Sequence, residues 1–263
     1  MRDDLALIRQ AALDAGQLAM DMRKAGLKTW SKEGGSPVTN ADIAVDTLLK
    51  DRLMAARPDY GWLSEETADD AARLSKQRLF VVDPIDGTAA YMKDKPWFSV
   101  AIAVVQAGRP IAGVVHAPAL DETYDAISGG GAWLNGASIR PSSTPDLHDS
   151  AMLGDAKMFA HPAWKVPWPP MRFATRNSIA YRMALVAAGT FDAALALSAK
   201  NDWDLAAAEI IASEAGAITT DHQGLAFRYN RESPLQKSLI CANPALHPLI
   251  LARTSALDFG NRS

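Results

Sequence analysis

The 263-residue chain reads as an α/β protein in two styles, an α+β half followed by an α/β half. Two observations predict this. In the first half, two segments with helical apolar spacing precede a series of short β-branched runs separated by tight turns. In the second half, helix-like and strand-like segments alternate between residues 178 and 215.

The elements follow in order. Leu5, Ile8, Ala12, Ala15 and Ala19 recur at helical spacing with charges between them, so residues 3–25 form a helix. Residues 27–40, LKTWSKEGGSPVTN, carry the Gly, Ser and Pro of a loop. A second helix spans 41–56, capped by Thr39 or Asn40 and stopped before Pro58. Gly61-Trp62-Leu63 is strand-like, and residues 77–82 form a buried strand around LFVV. Strands at 97–106 and 110–116 join through Ala107-Gly108-Arg109 as a hairpin. Shorter strands at 123–126 and 131–134 follow, the latter ending in an Asn135-Gly136 turn. Residues 160–173, AHPAWKVPWPPMRF, read as a connection or surface insertion. Helix 178–188, strand 191–198 and helix 205–215 complete the alternation.

Bulk properties narrow the function. A net charge of -3 and a pI near 6.0 give no electrostatic case for a nucleic-acid polymer or an anionic membrane as partner. No apolar run approaches the roughly 20 residues of a membrane span, and the acidic N-terminus has no signal-peptide core. The single cysteine, Cys241, excludes an intramolecular disulfide framework and fits a cytoplasmic setting; it reads as a buried small residue rather than a nucleophile. The five histidines lack metal-ligand spacing and read as structural or surface residues.

The chemistry concentrates in carboxylates. Asp83-Pro84-Ile85-Asp86-Gly87-Thr88 follows a strand, so two aspartates three apart project from one turn towards one point. Hard cations such as Mg²⁺ take such oxygen ligands together with substrate phosphate and water. Gly87 lets backbone N–H groups approach a ligand, and a helix starting at Thr88 would aim further N–H groups at a phosphate. Three weaker acidic features accompany this turn: Val38-Thr39-Asn40-Ala41-Asp42, Ser64-Glu65-Glu66-Thr67 and Asp202-Trp203-Asp204. Singly, these have ordinary readings as a helix cap, a solvated surface pair and a second cap formed by Asp202 or Asp204.

In order and spacing, VTNAD at 38–42, SEET at 64–67, DPIDGT at 83–88 and WDLAAAEI at 203–210 together resemble the inositol monophosphatase superfamily of lithium-sensitive, magnesium-dependent phosphatases. GGGAWLNG at 129–136 and ALVAAGTFDAAL at 184–195 extend the resemblance over nearly the whole chain. It implies a layered αβαβα sandwich of the inositol monophosphatase and fructose-1,6-bisphosphatase type, with an α+β half at 1–140, an α/β half at 141–263 and the site where they meet. It implies Mg²⁺, two or three ions, held by the side chains of Glu65, Asp83, Asp86 and Asp204 and by the carbonyl of Ile85. Asp42 and Thr88 would orient the attacking water, with Glu65 assisting catalysis; the N–H groups of Gly87 and Thr88 would hold the phosphate; Glu66 would support Glu65. Many members are homodimers, which leaves a homodimer open here. The implied partner is a small phosphorylated substrate.

Departures from the inositol phosphatase pattern bear on that substrate. This chain has Ala90 and Tyr91 where that pattern has Asn and Phe, and Leu197 where an acid holds inositol hydroxyls. A leucine cannot accept those hydrogen bonds. Ser36-Pro37-Val38-Thr39, LSEETADDAARL at 63–74 and NSIAYRMALVAAG at 177–189 are similar to the 3'(2'),5'-bisphosphate nucleotidases, which convert 3'-phosphoadenosine 5'-phosphate to AMP. Arg182 and Lys200 are candidates for a second phosphate, against an alternative as solvated charges. Trp203 and Tyr91 could stack on adenine, against an alternative in core packing. Inositol phosphate, sugar phosphate and histidinol phosphate stay open as substrates. So does a non-catalytic metal-binding interaction protein, whose mark would be a lost catalytic carboxylate; none is lost.

Overall fold

The computed structural model describes residues 1–32, 35–162 and 164–257. Helix α1 (Arg2–Ala25) and helix α2 (Asn40–Ala56) flank a two-stranded antiparallel ribbon of β1 (Thr29–Ser31) and β2 (Pro37–Thr39). The ribbon corrects the expected plain loop at 27–40, of which Glu33 and Gly34 lie outside the described residues. Its strands are three residues each and pair Trp30 with Val38, a contact too short to show as a pattern in sequence. Thr39 caps α2: its hydroxyl accepts from the N–H of Ala41, and Asp42 accepts back from the Thr39 N–H at 2.8 Å.

A seven-stranded sheet runs in the order β3-β4-β5-β6-β7-β8-β9. Its strands are β3 (Gly61–Ser64), β4 (Arg78–Asp86), β5 (Ser99–Gln106), β6 (Arg109–Ala117), β7 (Glu122–Ile127), β8 (Ala132–Leu134) and β9 (Ala137–Ser138), and the short helix α3 (Thr88–Met92) follows β4. Only β3–β4 is parallel. Ala107 and Gly108, both at positive φ (52° and 75°), close the β5–β6 hairpin, and Asn135 and Gly136 close β8–β9 the same way.

The second half builds a five-stranded sheet, ordered β11-β10-β12-β16-β14. It comprises β10 (Ala151–Leu153), β11 (Arg172–Ala174), β12 (Ala193–Ala196), β14 (Ile218–Thr220) and β16 (Leu239–Ala242). A small pair, β13 (Lys200–Asn201) with β15 (Leu235–Gln236), stands apart from it. Helices α4 (Ala156–Phe159), α5 (Ile179–Ala187), α6 (Asp202–Ala215) and α7 (Leu246–Thr254) connect and cover these strands.

Side-chain alternation along the strands dictates the layers. On β5, Val100, Ile102 and Val104 point into a core with Ile8, Ala12, Ala15, Val45 and Leu49 of α1 and α2. Ala101, Ala103 and Val105 point the other way, onto α5 and α6. Those helices also receive Leu239 and Cys241 of the smaller sheet, whose opposite face offers Leu195, Ile240 and Ala242 to Leu246 and Ile250 of α7. The result is the expected αβαβα sandwich. Close packing requires small residues at the contacts. A Cβ added to Gly113 on β6 would lie 2.6 Å from the Ala207 carbonyl of α6.

Residues 160–173 are more than a surface insertion. Trp168 packs edge-on to Phe159 and Trp164, and Trp168 and Met171 lie against the third core cluster; Ala163 lies outside the described residues.

Candidate active site

The site is built at the end of β4, which runs past Val82 to Asp86 rather than stopping where its apolar run ends. Asp83 pairs with Ala101 and Asp86 with Ser99, three residues along on one strand against two on the other. This bulge re-aims the two aspartates. Gly87 then takes φ 96°, and a Cβ there would sit 2.9 Å from the Ser178 nitrogen, so both conformation and space demand glycine.

Asp204 comes from the first turn of α6. The helix is capped by Asn201, not by Asp202 or Asp204: Asp204 occupies the third helical position and accepts from the Asn201 N–H at 2.7 Å. Asp202 instead accepts from the Gln236 amide (2.7 Å) and the Asn230 N–H (3.1 Å). The structure thereby brings Asp83, Asp86 and Asp204 together, each offering a carboxylate oxygen within 4.8 Å of the others.

This grouping is electrostatically uncomfortable without a cation. Burial, reinforced by Glu65, Asp86 and Asp204, holds the Asp83 carboxyl well above the usual range. Burial pushes Asp204 up to about 7, with Asp86 adding to the effect. Asp86 rises to about 6 by burial and is restrained by three donors from α5: the Ser178 hydroxyl (2.6 Å) and the N–H groups of Ala180 (2.7 Å) and Ile179 (3.1 Å). An all-oxygen set of buried carboxylates fits a hard cation such as Mg²⁺.

Asp42 and Thr88 meet beside this cluster. Thr88 Oγ1 lies 3.0 Å from Asp42 Oδ1 and 3.1 Å from the Ile85 carbonyl, and its one hydrogen serves one of them at a time. Asp42 Oδ2 accepts from the Thr39 hydroxyl (2.6 Å) and N–H (2.8 Å), which fixes its orientation. Burial raises the Asp42 carboxyl despite these donors.

Glu65 lines the same cleft, but its carboxylate lies outside the three-carboxylate grouping and is engaged by Lys32 at 3.1 Å. Glu66 is buried, not a solvated partner; it binds Lys32 at 2.6 Å, and burial pushes it up to about 7. The turn bearing both glutamates is anchored by Asp46, which accepts from Ser64 and Thr67, each at 2.5 Å.

The cleft encloses about 230 Å³ and is also lined by Lys200, Asn177, Gly87 and Thr88. Burial lowers the Lys200 pKa against the pull of Asp204. Arg182 does not line the cleft; its Nε donates to the Arg176 carbonyl at 2.5 Å, although Asp86 is near enough to bias its charge. Tyr91 is fully buried, donates to the Ala19 carbonyl at 2.7 Å and stacks edge-on with Phe98, so it is a core residue and not a base-stacking platform. Trp203 packs against the central core, and Leu197 turns towards the third cluster. The histidines also read as expected where bonded: His116 pairs with Thr123 and His247 with Thr220.

Lys32, Asn177 and Ser178 were not foreseen as site residues. Ser178 alone left a trace in sequence, as a serine ahead of a helical run.

A buried carboxylate cluster in a cleft where the end of β4 meets the first turns of α5 and α6 in an αβαβα sandwich belongs to a metal-dependent phosphomonoester hydrolase. The sequence profile of the inositol monophosphatase family matches residues 2–258, and the chain belongs to that family. It is 30% identical over 259 residues to a histidinol-phosphatase of Chlorobaculum parvum, covering 96% of each chain. It is 33% identical over 237 residues to the 3'(2'),5'-bisphosphate nucleotidase CysQ of Escherichia coli, covering 89% of this chain and 96% of that one. The solved structure of a Thermotoga maritima IMPase superposes with a TM-score of 0.82 at 30% identity, covering 96% of both.

Proposed function

We propose that this phosphatase is a 3'(2'),5'-bisphosphate nucleotidase, releasing the 3'-phosphate of 3'-phosphoadenosine 5'-phosphate. One observation carries the choice of substrate: a half-buried cation, Lys200, lines the cleft beside the carboxylate cluster, with Arg182 close behind. A desolvated ammonium gains from an anionic partner, and a bisphosphate brings a second one. Leu197, directed into apolar surroundings, offers nothing to a polyol. The similarity to CysQ is compatible with this reading.

Asp83, Asp86 and Asp204 would hold Mg²⁺, with Glu65 and the Ile85 carbonyl completing the set across two or three ions. Bound there, Mg²⁺ supplies the charge that acidifies a water and neutralises phosphoryl oxygens. Asp42, oriented by Thr39, accepts the proton of the attacking water, and Thr88 places that water between itself and the phosphorus. The N–H groups of Gly87 and Thr88, at the start of α3, would hold the phosphate. Lys32 bridges Glu65 and Glu66 and would position Glu65 at the rim of the cluster. Attack at phosphorus would break the ester P–O bond, and the leaving ribose oxygen would take up a proton from solvent, balancing the one accepted by Asp42, so that a ribose hydroxyl and phosphate are released. Residues 1–140 contribute most of the ligands and 141–263 contribute Asp204 and Lys200.

The test is phosphate release with Mg²⁺ from 3'-phosphoadenosine 5'-phosphate, inositol 1-phosphate and histidinol phosphate, each with and without EDTA. An EDTA-sensitive preference for the nucleotide is expected. Lys200→Ala and Arg182→Ala should each weaken the bisphosphate about tenfold more than a monophosphate. Preference for inositol or histidinol phosphate would overturn the substrate assignment and leave the hydrolase chemistry intact.

A further inference from the structure

An open surface depression of about 420 Å³ lies where the chain around the short 3₁₀ turn Ala71–Ser75, the β5–β6 hairpin and the loop at 228–231 converge. It shares no lining residue with the carboxylate cleft. Its charge is one-sided: Lys76, Arg228 and Arg231 line it, and no Asp or Glu does. Among the described residues none of these three cations forms an ion pair. Arg231 is held in place by donating to the carbonyls of Arg228 (3.1 Å) and Leu235 (2.6 Å), and its charge is also felt by the buried Asp202 carboxylate behind the loop.

The walls are built rather than loose. Arg73 is buried and donates to the Asn230 side chain (2.8 Å) and the Arg231 carbonyl (3.0 Å), fixing the loop from below. The Tyr229 N–H donates to the Gly108 carbonyl at 3.1 Å, joining loop to hairpin. Gln106 uses its carbonyl oxygen to accept from Arg78 at 2.7 Å, which leaves its NH₂ group as a donor. Three exposed cations that line one depression and form no ion pair, beside amide donors, make a place that gains free energy from an oxyanion.

We propose that this depression is a second binding site, which takes a small phosphate-bearing anion. Two sources share that chemistry: inorganic phosphate, which the enzyme itself releases, and an organic phosphate. The proposal rests on residues outside the catalytic cleft and stands independently of which substrate the cleft hydrolyses.

Amide NMR on the ¹⁵N-labelled full chain with Mg²⁺ locates binding directly. The probes are inorganic phosphate and, separately, the non-hydrolysable phenylphosphonate. Shifts are expected at Lys76, Gly108 and Asn230, distinct from those at Gly87 and Thr88, with a dissociation constant on the order of 1 mM. Response to both probes supports a site that inorganic phosphate can fill, and response to phenylphosphonate alone supports an organic phosphate. In the double variant Lys76→Gln/Arg228→Gln, affinity at this site should fall about tenfold or more while the Gly87 and Thr88 shifts keep their midpoint. Absence of shifts at Lys76, Gly108 and Asn230 with either probe would overturn the proposal, as would shifts there that persist with unchanged midpoint in the double variant.

Discussion

Substituting Gly87 by alanine tests whether the turn after Asp86 is as constrained as its geometry indicates. Two effects add. At φ 96° an L-residue is strained, a cost of about 1–2 kcal/mol. The new methyl would also lie 2.9 Å from the backbone nitrogen of Ser178 and 3.3 Å from its Cα, so relief requires moving α5 or the turn, roughly 1–3 kcal/mol of overpacking. The total is about 2–5 kcal/mol. Gly129→Ala separates the two effects, because Gly129 also has positive φ (72°) but open space around it, and should lose only the first. Urea unfolding at constant m-value measures both variants. Equal losses would refute the claim that crowding against Ser178 matters. Because Ser178, Ile179 and Ala180 all bond Asp86, Gly87→Ala should also lower Mg²⁺ affinity, which isothermal titration reads independently of turnover.

Asp86→Asn should leave the far-UV circular dichroism unchanged and reduce turnover by on the order of 10²-fold or more; normal turnover would remove Asp86 from the site. In metal-free protein the raised carboxyls of Asp86 and Asp204, about 6 and about 7, are protonated when folded at pH values where the unfolded chain has ionised, so stability falls as pH rises from about 4 through 7. Mg²⁺ binds the ionised cluster, so its stabilisation should be larger at pH 8 than at pH 5.5; an equal rise in Tm at both would contradict this. Glu209 offers a metal-independent case: burial pushes it up to about 7 from the ordinary 4.5, one carboxylate oxygen has no hydrogen-bond partner, and Arg109 is 3.9 Å from the other. That gap corresponds to on the order of 3 kcal/mol lost between pH 4.5 and 7, so Glu209→Gln should flatten the pH dependence of urea unfolding there, and an unaltered slope would count against it.

Much of the site was legible because its residues sit at abrupt transitions between elements. The apolar run before Asp83 marks a buried strand, and polar residues at its end fall where the strand leaves the core. Thr39 and Asp42 are legible as a cap, and the cap also orients Asp42 towards Thr88. Lys32 was not legible, since it reaches Glu65 and Glu66 across more than thirty residues from a ribbon too short to show periodicity. Tyr91 and Arg182 illustrate another limit. Helical spacing tells which residues share a face but not what stands opposite: Tyr91 meets the Ala19 carbonyl and Arg182 the Arg176 carbonyl. Asp202 and Asp204 were interchangeable as caps in sequence, and neither is the cap, because Asn201 at the end of β13 takes the helix start.

Cys241 lies on β16 between β12 and β14, fully buried against α5 and α6, and burial holds its thiol far above the usual range. A sole thiol in that position is a built-in clock. Alkylating reagents reach it only when the smaller sheet parts from the helices, so its labelling rate counts openings of the molecule's middle layers without an introduced probe. A cation held by Asp83 and Asp204 would tie the larger sheet to α6, and slower labelling with Mg²⁺ would time how firmly that tie holds the layers together.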